Sequence, residues 1–278
     1  MGNWNPGTIN PNTSHHGTGP DKHIIFTNVD TVLATIEAVA AARQDTLTVV
    51  GVTPLQFAKL EKARHEMGGT FRMFYVANEG ELVVTVPTKL HEATSVAIHR
   101  AVEDRMEALD LTKYWKFIGT MTLRSNRQDS SSRQADGGGH PLPRSVNWPT
   151  LAITIGTTQA LPDLQKQVGW WFTHSDHLVE MVLLVKVYES LRQIRVEKWM
   201  EDKYGPTLCQ TSTIDMTMKA YLAGPEDEIR KNPDSYIVNG DIVLEYAKLF
   251  PGRVKEGEMD VLLTKNVLRQ VGVEIWSL

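Results

Sequence analysis

Residues 148–156 read WPTLAITIG, and the apolar run in this stretch is typical of a strand that is buried on both faces. An amphipathic helix and two further strand patterns follow it along the chain. Their most informative segments are GWWF at 169–172, VEMVLLVKV at 179–187 and IRVEKW at 194–199. The order strand, helix, strand, strand predicts a sheet with a helix packed on it, which places the chain in the α/β class.

Two packing predictions concern this segment. Period-two alternation places Ile153 and Ile155 on one face of the first strand, and Thr154 on the other face with its small neighbours. Trp170 and Trp171 are predicted to pack in the core rather than to form a stacking platform for a ligand.

Helical and strand patterns alternate on both sides of this segment, which predicts one α/β domain over 23–278 with its core at about 80–200. Before this segment the sequence predicts a helix capped by Asn28 or Asp30, a strand at 46–52 and a helix that begins at Thr53 and Pro54. A hairpin with its turn at 78–80, a helix at 90–109 and a strand at 113–123 follow. The helix at 90–109 has an apolar stripe of Ala93, Val96, Ala97, Ala101, Val102 and Met106.

Three further segments complete the prediction. Residues 124–147 form a polar stretch that is rich in glycine and serine and contains Asp136. A strand-and-helix layer is predicted at 236–250, and a final helix that ends at Trp276 follows it. Residues 1–22 contain little apolar surface and are predicted to be a flexible N-terminal segment, in which the adjacent histidines at 15–16 are potential metal ligands.

Composition narrows the classes of function. The 278 residues carry a formal net charge of −4, which does not favour a nucleic-acid partner because such proteins usually carry a basic surplus. Cys209 is the single cysteine, so we expect a reducing cytoplasmic compartment, with a nuclear location also compatible. No window has the roughly 18 apolar residues of a membrane span, so no membrane partner is predicted.

Three segments resemble the restriction-endonuclease-like, or PD-(D/E)XK, superfamily, and most closely a group of fungal proteins of unknown role. They are PTKLHEATSVAIHRAVEDRM at 87–106, QADGGGHPLP at 134–143 and LAITIG at 151–156. The resemblance implies a mixed sheet flanked by helices, here with N-terminal and C-terminal additions. It also implies a site in which carboxylates hold Mg²⁺ while a lysine helps to activate water.

The resemblance assigns the carboxylate positions of this site residue by residue. Glu92 matches the acidic residue of the family's helix, and His91 matches the histidine beside it. Asp136 matches the aspartate near the start of the second core strand. Thr154 stands where the family has its central glutamate, and a threonine cannot hold a divalent cation as a carboxylate does.

The lysine of the family pattern is also displaced. Glu180 stands at the position of that lysine, whereas Lys186 lies on the same face of the strand at its opposite end. Each candidate also has a purely structural interpretation. Glu92 would stabilise the helix dipole, Asp136 would form a turn, and Lys186 would be a strand-end surface residue.

These altered positions predict a nuclease fold that has lost metal-dependent nuclease activity. We expect the old cleft to bind a small molecule, with or without metal-independent acid–base catalysis and with no cofactor. The candidate catalytic residues are Asp136, Glu92, His91 and Lys186, and the candidate ligand-binding residues are Thr154, His99, His140 and Glu180. Two alternatives stay open. One is a nuclease that uses Mg²⁺ or Mn²⁺ with migrated ligands, and the other is a non-catalytic module that binds a protein or nucleic acid.

Overall fold

The computed structural model describes residues 22–127, 129–143, 148–224, 227–253 and 259–277. The predicted flexible segment and its histidine pair lie outside these residues, apart from Lys22, which begins the first strand. The seven helices of the described chain are α1 (Val29–Ala41), α2 (Pro54–Glu66), α3 (Lys89–Ala108), α4 (Leu161–His174), α5 (Met218–Leu222), α6 (Tyr246–Leu249) and α7 (Lys265–Trp276). None of them is both long enough and apolar enough to cross a membrane.

Fifteen strands occur in the same residues and form a mixed α/β structure. They are β1 (Lys22–Ile25), β2 (Thr46–Val50), β3 (Arg72–Val76), β4 (Glu81–Thr85), β5 (Trp115–Ile118), β6 (Thr122–Arg124), β7 (Ser132–Gln134), β8 (Gly137–Pro141), β9 (Leu151–Gly156), β10 (Met181–Tyr188), β11 (Gln193–Asp202), β12 (Gly205–Met216), β13 (Tyr236–Val238), β14 (Ile242–Leu244) and β15 (Val261–Leu263).

The strands form two large sheets and one small sheet. The N-terminal sheet has the order β1-β2-β4-β3-β7-β6, and the central sheet has the order β13-β12-β11-β10-β9-β8-β5. The small sheet pairs β14 with β15. The N-terminal sheet includes β6 and β7 from the middle of the chain. Residues 135–136 connect β7 to β8 of the central sheet, and this connection is the crossing between the sheets.

The central sheet is mixed and has apolar clusters on both faces. β9 runs parallel to β10, whereas its pairing with β8 is antiparallel. Ile153 and Ile155 join the cluster that contains side chains of α3 and α7, and Ala152 joins the cluster that contains side chains of α4. The predicted faces of this strand are therefore confirmed. Trp170 and Trp171 are buried in the α4 cluster, which confirms their assignment to the core.

Local signals in the sequence place most element boundaries correctly. Asn28 accepts a hydrogen bond from Thr31 N and caps α1, and Thr53 forms a capping box with Gln56 at the start of α2. The hairpin of β3 and β4 and the final helix ending at Trp276 are also as predicted. These are segments in which short-range chemistry alone selects the conformation.

Two predictions are wrong. Residues 113–123 do not form one strand, because β5 pairs in the central sheet and β6 pairs in the N-terminal sheet. The polar stretch that follows them includes β7 and the buried strand β8. Val96, assigned to the apolar stripe of α3, is 54% exposed. The buried face of α3 instead includes the polar residues His91, Thr94 and Ser95. His91 and Ser95 form hydrogen bonds to Asp136 at the crossing between the sheets, and Thr94 donates to a carbonyl of the helix itself.

The glycines of β8 explain why a polar sequence forms a central strand. A Cβ atom on Gly137 would lie 1.6 Å from Cε1 of His99, and one on Gly139 would lie 2.3 Å from Nε1 of Trp115. Gly138 has φ +146°, and a Cβ atom there would lie 2.1 Å from the carbonyl oxygen of Leu151. These glycines are required because helix α3, β5 and β9 approach the backbone of β8 closely.

Candidate functional site

A buried arginine joins the two carboxylates that the sequence singles out. Arg72 is the first residue of β3, is only 7% exposed, and lies between Asp136 and Glu92. Its Nη1 atom is 3.0 Å from Oδ1 of Asp136, and its Nη2 atom is 2.7 Å from Oε1 of Glu92. One guanidinium group therefore bridges the carboxylate on α3 and the carboxylate at the crossing between the sheets.

The backbone fixes Asp136 where the chain passes from β7 in the N-terminal sheet to β8 in the central sheet. Its N–H donates to the Ile153 carbonyl at 3.2 Å, and its own carbonyl accepts from the Ser95 hydroxyl at 3.0 Å. Oδ2 accepts a hydrogen bond from Ile155 N at 2.7 Å. The aspartate is thus held by β9, α3 and β3 at once, which leaves little freedom for its side chain.

His91 lies in the first turn of α3 and also contacts this group. Arg72, Glu92, Asp136 and His91 together form the Arg72 network. Its Nε2 atom is 3.0 Å from Oδ1 of Asp136 and 2.6 Å from Nη1 of Arg72. A neutral imidazole nitrogen can donate to the aspartate or accept from the arginine, but it cannot do both. Its Nδ1 atom is buried and has no hydrogen-bond partner among the described residues. His91 therefore packs inside the ion pair and has no nitrogen open to a substrate.

The surroundings of Asp136 keep it ionised. Burial alone raises the pKa of this carboxyl, but the His91 ring, the Arg72 guanidinium and the Ile155 N–H together outweigh that effect. The pKa of Asp136 consequently lies below the ordinary aspartate value of 3.8. Asp136 is therefore an anion at neutral pH and forms an ion pair with Arg72.

Asp136→Asn is expected to make the fold less sensitive to acid and less stable at pH 7 by about 2–4 kcal/mol. Because the folded-state pKa of Asp136 is lowered, its stabilising contribution is present above the unfolded pKa and is lost as the pH falls below it. Urea unfolding of the wild type and the variant, measured from pH 7 to about pH 3, should give free-energy curves that converge towards low pH. Parallel curves would contradict the assignment.

A second buried arginine lies beside this network. The guanidinium of Arg133 lies 4.3 Å from the ring centre of Phe74 and 4.9 Å from that of Trp171. It donates to the carbonyl of Gln167 at 3.0 Å and to Oε1 of the same residue at 3.1 Å. Burial lowers the pKa of Arg133 to about 10, while the charge of Asp136 opposes that shift. Arg133 therefore remains a cation at neutral pH, packed between two rings.

Thr154 belongs to the same closed centre. Its hydroxyl accepts a hydrogen bond from Nε1 of Trp171 at 3.2 Å. A cavity of about 30 Å³ lies beside it and is also lined by Arg72, Arg133 and Asp136. This volume holds on the order of one water molecule, so the predicted cleft at this position is too small for a metabolite.

His99 and His140 lie away from the Arg72 network and have structural contacts. Nδ1 of His99 is 3.0 Å from the Ser95 carbonyl, and its Nε2 accepts from Gly138 N at 3.2 Å. Nε2 of His99 thus joins α3 to β8, whereas Nδ1 bonds within α3. His140 is buried further along β8, with Nδ1 3.1 Å from the Pro141 carbonyl.

Lys186 and Glu180 are at opposite ends of β10. Lys186 is buried and donates to the carbonyls of Thr157 and Gln159 at 2.6 and 2.7 Å. Glu180 precedes the strand and forms an ion pair with Lys248 at 2.8 Å. The structure therefore brings together His91, Glu92, Asp136 and Thr154, and places the other four candidates elsewhere.

Sequence reasoning missed Arg72, Arg133 and Asp45. Asp45 is buried before β2 and accepts hydrogen bonds from the backbone and hydroxyl groups of Thr157 and Thr158, which follow β9. A signal existed for Arg72, because a charged residue inside an apolar strand pattern must find a partner. No local signal distinguishes Arg133 or Asp45 from the other polar residues of their segments.

A larger cleft lies beyond the end of β9, apart from the Arg72 network. It consists of two neighbouring cavities of about 800 and 630 Å³. Both are lined by Thr157, Thr158, Glu189, Arg192 and Arg230. Lys186 and the first residues of α4 line the larger one, and Trp276 lines the smaller one. Cavities of this size are typical of small-molecule sites.

The residues of the Arg72 network do not fit a divalent cation. Within the described parts of the chain, no three His, Cys, Asp or Glu side chains gather as metal ligands. The two nearest carboxylates, Glu92 and Asp136, are already bridged by a fixed positive charge. Comparison with protein-family models gives no match, and comparison with curated proteins gives none of significance.

Proposed function

We propose that this protein is a small-molecule-binding protein built on a restriction-endonuclease-like fold, without metal-dependent nuclease activity. Three placements support the fold assignment. The central sheet is mixed with helices on both faces, Asp136 immediately precedes β8, and Thr154 lies on β9. After α3, these are the second and third strands of that sheet in chain order, which is where the resemblance expects the aspartate and the glutamate.

The observation that carries the functional proposal is the position of Arg72. Its guanidinium lies between the carboxylates that would hold Mg²⁺ in an active relative, with one nitrogen on each. A fixed cation at that point neutralises the same charges and repels a second cation. Thr154, at the position of the family's glutamate, accepts a hydrogen bond from Trp171, so its hydroxyl has a partner without a metal ion.

The ligand site in this proposal is the two-cavity cleft at Arg192 and Arg230. Arg72, His91 and Asp136 are buried beside a cavity of about 30 Å³, whereas the cleft has cavities of about 800 and 630 Å³. Lys186 is the one predicted site residue that lines it. A reducing cytoplasmic location remains part of the proposal, since Cys209 is the single cysteine.

The alternative of a nuclease with migrated ligands gains no support from Glu180. This residue pairs with Lys248, and about 20 Å of strand separates it from the Lys186 end of β10. A non-catalytic interaction module would present an exposed apolar patch at the old site. The network residues Arg72, His91 and Asp136 are instead buried.

Mn²⁺ is expected not to bind at Glu92 and Asp136. Electron paramagnetic resonance of free Mn²⁺ should show the same signal with wild-type protein and with Asp136→Ala, up to millimolar metal. Incubation with single-stranded DNA, double-stranded DNA and RNA in Mg²⁺ or Mn²⁺ should give no cleavage above the level of that variant. Metal binding that is lost in Asp136→Ala, together with EDTA-sensitive cleavage, would overturn the proposal.

A further inference from the structure

The two-cavity cleft contains two arginine side chains, Arg192 and Arg230, that form no ion pair with any carboxylate of the described residues. Arg230 lies in a short 3₁₀ segment (Glu228–Lys231), is 7% exposed and lines both cavities. Its Nε atom donates to the Ala220 carbonyl at 3.1 Å, and its Nη2 atom donates to the Ala223 carbonyl at 2.8 Å. No carboxylate within the described chain pairs with it, and its Nη1 atom has no hydrogen bond there.

Arg192 also lines both cavities and has no ion pair with a described residue. It follows β10 in the left-handed conformation, with φ 49°, and its guanidinium lies 5.0 Å from the ring centre of Trp276. The ring supports one face of the guanidinium and leaves its N–H groups free to donate at the edge. The backbone conformation and the ring together hold this side chain at the boundary between the two cavities.

A lysine and a helix N-terminus add to the positive potential of the cleft. Lys186 holds its ammonium group at the carbonyls of Thr157 and Gln159, at the wall of the larger cavity. The 14-residue helix α4 begins at the same wall, where Ala160 provides no side-chain cap. Among the described residues, Glu189 is the one acidic residue in the lining of either cavity, and it is exposed.

Two guanidinium groups, one of them nearly buried, therefore face a cavity in a protein of net charge −4. A buried cation without a counter-charge is costly, and no described residue supplies one, so we expect a ligand to supply it. Guanidinium groups match the oxygen geometry of phosphate, and two cations that line the same cavity favour a dianion over a monoanion.

We propose that this cleft binds a small phosphate monoester, with the phosphate held by Arg192 and Arg230 and the organic part near Trp276. This inference rests on the proposed small-molecule function and names its ligand class. Nothing in it depends on the Arg72 network, which lies outside the cleft lining.

Isothermal titration calorimetry of the full chain at pH 7.5 tests the proposal with inorganic phosphate and phenyl phosphate as probes. We expect both to bind the wild type, with phenyl phosphate binding more tightly. Arg192→Gln should weaken phosphate binding about tenfold or more, because a charge-assisted contact is lost. Arg230→Lys should weaken it as well, since lysine keeps the charge but loses the fork of donors.

Arg124→Gln is the matched control, because Arg124 is an exposed arginine paired with Glu61 outside the cleft. It should bind phosphate as the wild type does, and thermal unfolding should show that all variants are folded. Absence of phosphate binding to the wild type, equal binding by Arg192→Gln, or acetate binding as tight as phosphate would each overturn the inference.

A neutral probe separates this inference from the proposed function. If phenol binds in the cleft, as shown by nuclear magnetic resonance shifts at Trp276, while phosphate does not bind, the phosphate inference fails and the small-molecule function stands. Metal-dependent cleavage that requires Asp136 would remove the proposed function, whatever the phosphate titration shows.

Discussion

Arg72→Met is expected to lower the free energy of unfolding by about 3–5 kcal/mol at pH 7. Methionine keeps an apolar side chain of similar length in this buried space, but it leaves the ionised carboxylate of Asp136 without its arginine partner. Breaking a buried ion pair from one side is costly because the remaining charge stays desolvated. Urea unfolding followed by tryptophan fluorescence gives the free energy directly.

Two comparisons make this result specific to the buried network. Arg124→Met removes an exposed ion pair with Glu61 and should change stability by about 1 kcal/mol or less. The double variant Arg72→Met with Asp136→Asn should be more stable than the sum of the two single changes predicts, because no unpaired charge remains. An Arg72→Met protein as stable as the Arg124→Met protein would show that the network is not an important ion pair.

Gly138→Ala is expected to cost about 3–5 kcal/mol or to prevent folding, from the combined effects of overpacking and backbone strain. The added Cβ atom would lie 2.1 Å from the backbone oxygen of Leu151, which cannot move without breaking the pairing of β8 with β9. The φ angle of +146° is also unfavourable for any residue with a Cβ atom. Thermal and urea unfolding, with circular dichroism to measure secondary structure, check this expectation.

Gly119→Ala is the matched control, because a Cβ atom there would meet nothing within 4 Å and the backbone is not left-handed. Its stability should equal that of the wild type or exceed it by about 0.4–1 kcal/mol, since alanine restricts the unfolded chain. Gly139→Ala should fall between the two, because the clash there is with the side chain of Trp115. Equal stability of Gly138→Ala and Gly119→Ala would disprove the close approach of the strands.

The sequence was most informative where a local pattern decides the structure. The apolar run of β9, the Thr53 capping box and the turn between β3 and β4 are each selected by residues within a few positions of one another. Asp136 and Glu92 were identified as partners in one site through the family resemblance, and the structure does place them in one network.

The sequence was misleading where long-range contacts override local preference. The stretch GGGHP at 137–141 has the composition of a loop, yet it forms a buried strand because only glycine fits between α3, β5 and β9. The position of Lys186 on one face of β10 predicts that it lines the same cleft as Asp136. The structure directs its ammonium group to two carbonyls beyond the end of β9.

By itself the sequence determined the class of the fold, the order of its main helices and strands, and the two faces of the central strand β9. Periodicity and capping depend on neighbouring residues, so they can be read without a structure. Only the tertiary structure decided that Arg72 lies between Glu92 and Asp136, and that Arg192 and Arg230 face a common cleft. The partners of a buried charge are chosen by the packing of distant segments, and no local pattern records that choice.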